Sequence, residues 1–171
     1  MSADSGPHLS VAEFVEYCRT QAALLSGRVE TIDDEATALL DEIDDGMAEV
    51  RSRLEKQGAG GAGPVSPSTA GSADRDADLA SIEELQRDLE EKQAIVDAKQ
   101  ARIQAFQELA VGYTDLAEEL STSIDDGREA LTRVVEFEAD RDAPAYFDDR
   151  QTVLEAALEG SERRESDSDA S

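Results

Sequence analysis

Apolar residues return every seven positions along two long stretches of the chain. In the second stretch, Ile82, Leu89, Val96, Ile103, Ala110, Ala117, Ile124 and Leu131 form one series. Three places further on stand Leu85, Phe106, Tyr113, Leu120 and Val134, with Lys92, Lys99 and Gly127 interrupting. In the first stretch, Val15, Ala22, Val29, Ala36, Ile43 and Val50 interleave with Cys18, Leu25, Ile32, Leu39 and Gly46. These are the a and d positions of a heptad, the spacing that holds one helix face against a partner helix. Period-two alternation is missing, so the pattern predicts helices and no strands.

Start signals agree with this reading. Ser10 and Glu13 form a capping box, with Leu9 and Phe14 at the flanking staple positions; Ser81 and Glu84 repeat the box. The chain therefore divides into a disordered N-terminus at 1–9, a first coiled-coil helix at 10–57, a flexible Gly/Pro/Ser/Asp linker at 58–80 and a second coiled-coil helix at 81–138. A linker of that composition reaches about 25 Å. Parallel helices would require it to span roughly 70 Å, the length of the first helix. The expected fold is thus all-α, an antiparallel coiled-coil helical hairpin. Setting residue 57 opposite about residue 79 places Lys92 near Asp41, Asp44 and Asp45, and Lys99 near Asp34 and Glu35, which makes the two seam lysines register markers.

Helix two overhangs helix one in this register and exposes Leu131, Val134 and Phe137. Pro144 stops its continuation, and a short C-terminal helix is expected at 144–160, with Tyr146, Phe147, Leu154, Ala157 and Leu158 on one side and Gly160 at its cap. It is expected to fold back over the overhang. Residues 161–171 have nothing to bury and read as a disordered acidic tail.

Composition changes how charge is read. The chain carries 41 Asp and Glu against 16 Lys and Arg, a formal charge of −25, with Lys confined to Lys56, Lys92 and Lys99. Abundant Asp, scarce Lys and few large apolar residues resemble the proteins of extreme halophiles. In molar salt the Debye length falls to about 3 Å, so such charge solvates the surface rather than selecting partners. In dilute salt it opposes nucleic acid and anionic membranes. No signal-peptide pattern or apolar run of about 20 residues occurs, so a cytoplasmic protein without membrane contact is expected.

Candidate chemistry is sparse. Asp41 to Asp45 with Gly46 suggests a calcium loop, but the third and twelfth loop positions are Ile43 and Ser52, which cannot serve as acidic ligands; the Asp125-Asp126-Gly127 copy fails likewise at Arg133. Cys18 is the single cysteine and sits at a seam position suited to a small hydrophobe. His8 is the single histidine and has no second ligand or catalytic partner nearby in sequence. Adjacent pairs such as Asp33-Asp34 and Asp148-Asp149 point apart on a helix. No phosphate loop or basic aromatic patch is present. Catalytic, cofactor-binding and metal sites and a small-molecule substrate are therefore not expected.

The stripe on the second helix is wider than a two-stranded seam requires. Gln86, Gln93, Gln100 and Gln107 occupy one flank, but Ile95, Leu109 and Leu116 make the other apolar. Together with Phe106 and Tyr113 these residues form the expected partner or self-association surface, serving a homodimer or a partner helical protein. The function expected is a non-catalytic interaction or scaffold (adaptor) protein. The alternative is a chaperone-like protein whose arms hold non-native clients; the hairpin resembles prefoldin arms, without the strand-built body from which those spring.

Overall fold

The computed structural model describes residues 9–60 and 69–169. It is all-helical among those residues: α1 Val11–Gly60, α2 Thr69–Ser123, α3 Gly127–Asp140, a 3₁₀ turn at Ala143–Tyr146, and α4 Val153–Asp169. The chain forms two compact units. Unit one comprises residues up to 29 together with those from 104 onward, and unit two spans 30–103. The 1–9 terminus lies outside the described residues except for Leu9, as does the linker segment 61–68.

In unit two, α1 and α2 pack as an antiparallel helical hairpin. Lys99 Nζ meets Glu35 Oε2 at 2.8 Å, Lys92 Nζ meets Glu42 Oε2 at 3.8 Å, and Arg53 donates to Ser81 Oγ. Each of these pairs sums to 134, which fixes one register along the whole unit. Lys99 thus finds Glu35 as expected. Lys92 is held by Glu42 and by its own-helix neighbour Asp88 rather than by Asp41, Asp44 or Asp45, because the register lies about two residues from the one assumed. The core is thin, consisting of Ile32, Ala36 and Ile43 against Ile82 and Val96. Gly46 leaves a notch for Leu89, whose Cδ2 would lie 2.5 Å from an added Cβ.

Unit one holds the richer core. Phe14, Val15, Cys18 and Leu25 of α1, Phe106, Leu109, Tyr113, Leu116 and Leu120 of α2, and Ala130 and Val134 of α3 are all buried. Ser10 caps α1 as expected, its Oγ accepting from Glu13 N at 3.1 Å.

Several boundaries differ from the expected ones, beginning with α1, which runs to Gly60 rather than 57 and so takes in residues 58–60 of the expected linker. Helix two starts at Thr69, not 81, so Ser81 is an interior residue whose hydroxyl serves Arg53; Ala73, Arg75, Ala77, Leu79 and Ala80 before it are good helix formers that alternate with poorer ones. Helix two also does not run unbroken to 138. It ends at Ser123, and residues 124–126 leave the helix. Asp126, in extended backbone, then caps α3 through Arg128 N. Finally, the segment after Pro144 makes one 3₁₀ turn, breaks, and restarts as α4 with Thr152 and Glu155 in a reciprocal capping box at 3.3 Å. Gly160 lies inside that helix, and residues 161–169 are helical rather than a disordered tail. Glu159 and Arg163 stand four apart on it, a spacing that supports solvated helix.

Candidate functional site

The most unusual chemistry lies in the interior of unit one. Glu138 is 0% exposed. It falls on the buried face of α3 because it follows Ala130 and Val134 at four-residue intervals. Its Oε2 accepts from Tyr113 OH at 2.5 Å and from Tyr17 OH at 2.8 Å. Its Oε1 accepts from Leu154 N, in the first turn of α4, at 2.9 Å. Tyr17 OH in turn accepts from Val153 N and from Gln21 Nε2, each at 3.1 Å. One cluster therefore ties side chains of α1, α2 and α3 to the start of α4.

A buried carboxylate costs several kcal/mol of lost hydration. Three donors and the positive end of α4 offset that cost here. The same surroundings suppress acid–base reactivity in its neighbours. Burial, then the charge of Glu138, pushes the Tyr17 hydroxyl well above the ordinary phenol range. Burial and the hydrogen bond to Glu138 do the same to Tyr113. The Cys18 thiol is pushed up to about 12 by burial and by the Glu138 charge. These shifts favour the protonated phenols and thiol, the form in which the two phenols donate to Glu138. Gln21 Oε1 is buried without a protein partner. No group of three or more metal-ligating side chains occurs among the described residues.

Aromatic rings close the cluster. Tyr113 meets Phe137 edge-on at 4.9 Å, Phe147 at 6.2 Å and Tyr17 at 6.4 Å, while Phe106 meets Tyr146 at 5.0 Å. The residues expected to form a partner surface therefore separate. Phe106, Leu109, Tyr113 and Leu116 are all buried within the chain's own core. The widened stripe lies among the interior residues of unit one, where α3, the 3₁₀ turn and α4 also pack, so aspartate at Leu109 or Leu116 would disrupt folding first. Ile95 alone stays open to solvent, in unit two.

A second feature, in unit two, was not anticipated. Leu40, Met47 and Leu54 are each 40% or more exposed and follow one another at seven-residue intervals on α1; Leu79 on α2 is 48% exposed. The heptad count held this signal, since all three α1 residues share the position following d. Glu138 was legible in the same way, as the next member of the series that contains Ile124 and Leu131. No helix among the described residues is long and apolar enough to cross a membrane. The chain matches no protein-family model, no curated protein and no solved structure.

Proposed function

We propose that this is a non-catalytic interaction or scaffold protein, and that unit two acts as an antiparallel coiled coil offering one apolar flank to another helical protein. The observation that carries this reading is the exposed line Leu40, Met47 and Leu54. Large apolar side chains repeated at one heptad position are what a helix-in-groove or helix-on-helix contact uses. The buried polar groups argue the same way: Glu138, Tyr17 and Tyr113 spend their hydrogen bonds on one another and on α4. The Asp-rich, Lys-poor composition fits the cytoplasm of an extreme halophile, where screening to about 3 Å leaves apolar contact as the main source of affinity.

The test is affinity capture in molar KCl with the full chain and with Leu40→Asp/Met47→Asp/Leu54→Asp. One stoichiometric species, whether another protein or the chain itself, held by the native chain and lost from the variant supports the reading. Equal capture of many unrelated proteins by both would overturn it in favour of a chaperone-like holder.

A further inference from the structure

The two flanks of the unit-two hairpin differ in kind. An antiparallel pair brings the residues after d in both helices to one flank, and those before a to the other. The flank before a carries Glu35 and Glu42, to which Lys99 and Lys92 reach. The opposite flank carries Leu40, Met47 and Leu54 on α1, and Leu79 followed by Gln86, Gln93 and Gln100 on α2. In the observed register Leu79 lies within one residue of level with Leu54 and Gln86 level with Ala48, so the apolar line is bordered by uncharged amides at its centre.

This line is also symmetric about Met47. Leu40 and Leu54 stand seven residues to either side, and exposed Asp44 and Arg51 lie beside it, again nearly equidistant from Met47. A two-fold axis through Met47 would place Leu40 of one copy on Leu54 of the other, and Met47 on Met47. Asp44 of each copy would come within one residue of level with Arg51 of the other, giving two opposite-charge pairs. Such self-complementarity is what an isologous contact requires, and the acid–base alternation reads as its charge pattern.

We infer that the Leu40–Met47–Leu54 flank is a dimerisation surface whose occupant is a second copy of this chain in antiparallel apposition. This inference rests on the interaction reading above. The matched segment is about 21 Å long and two helices wide, roughly 400 Å² per copy. That is below the standard interface size, so the dimer belongs with weak, reversible contacts. Two chains of charge −25 repel each other in dilute salt. Shortening the Debye length from about 30 Å to about 3 Å removes that repulsion while leaving apolar contact intact. Association is therefore expected to strengthen as salt rises, the reverse of an interface held mainly by charge.

Sedimentation velocity of the full chain across a concentration series, in dilute and in molar KCl, tests this. The expected result is a mass that rises toward twice the monomer's with concentration in molar KCl and stays monomeric in dilute salt. Met47→Asp should hold the chain monomeric in both, with unchanged far-UV circular dichroism. Arg51→Asp should weaken the dimer, and Asp44→Arg/Arg51→Asp should restore it. Met47→Cys should form a disulfide-linked dimer under mild oxidation, since Cys18 is buried. A monomer at every concentration in molar KCl, or a dimer indifferent to Met47→Asp, would overturn the inference. Capture of a different protein through the same flank by a chain that stays monomeric would overturn the self-contact yet leave the interaction reading standing.

Discussion

Glu138 on α3 accepts the backbone N–H of Leu154 at 2.9 Å, so a buried carboxylate from one helix caps the start of another. The tyrosine hydroxyls that share this carboxylate make the contact three-way, and α4 depends on it for the first-turn donors that its own Thr152 does not reach. Glu138→Ala leaves the buried Tyr113 phenol, the part-buried Tyr17 phenol and one amide without this acceptor and should destabilise unit one by about 3–5 kcal/mol. Glu138→Gln keeps an acceptor and the shape, and should cost about 1–3 kcal/mol. Urea denaturation gives both values. Amide exchange at Val153 and Leu154 should rise more than exchange in the middle of α2; uniform loss of protection would contradict the capping role.

Alkaline stability should report the same cluster. The folded thiol of Cys18 holds its proton to about 12 against an ordinary 9.0, and both tyrosines are raised above the ordinary phenol value of 10.0. The folded state therefore binds more protons than the unfolded chain at high pH, and stability falls as pH rises. The thiol's contribution is intact below pH 9 and declines between 9 and 12; that of the phenols declines only above 10. Between pH 9 and 10 the native chain should lose about 1 kcal/mol that Cys18→Ala does not. Parallel urea midpoints for the two proteins across that interval would remove the thiol from the account.

Much of the hairpin was legible because its register depends on features that a sequence displays directly. The seam of Ile32, Ala36, Ile43, Ile82 and Val96 is spaced by heptads, and Lys99 reaches Glu35 as its place in the seam suggests. What escaped depended on competition between local and periodic signals. The heptad runs through Ile124 and Leu131 as if the helix continued, and Ile124 is indeed buried, but α2 ends at Ser123 and Asp126 caps a new helix between them. Asp126 followed by Glu129 three residues on was a start signal overridden by periodicity. The apolar excess at Leu109 and Leu116 was visible, but whether another chain or α3 and α4 would cover it depends on how far the later segment folds back, which no spacing encodes.

Three glycines separate by what their neighbours can yield. At Gly46 an added methyl meets the far end of Leu89, a flexible side chain that is only partly buried. Helix propensity gains about 1 kcal/mol there, so Gly46→Ala should be neutral or stabilising. At Gly112 the methyl would sit 2.8 Å from Phe137 Cζ, a ring held edge-on to Tyr113, and Gly112→Ala should cost about 1–3 kcal/mol. At Gly127 it would strike the backbone carbonyl of Leu9, which cannot rotate away. Gly127→Ala should cost at least as much and release the start of α1, seen as faster exchange at Glu13 and Phe14. Thermal melts of the three variants in one buffer give the order Gly46→Ala most stable, Gly127→Ala least.

The pair Lys99–Glu35 tests the register itself. Both side chains are partly exposed, so the contact is worth less than about 1 kcal/mol and fades with salt. Its value lies in direction rather than size. Lys99→Glu sets two acids against each other on one flank, and Glu35→Lys sets two lysines together. Each single change should lower the urea midpoint in dilute salt, while Glu35→Lys/Lys99→Glu should recover most of the loss, because the swap rebuilds an opposite pair at the same place. Asp34→Lys combined with Lys99→Glu should recover none, since Asp34 lies one residue, and so about 100° around α1, from the contact. Rescue by Asp34→Lys in place of Glu35→Lys would shift the register by one residue and with it every level match drawn between the two helices of unit two.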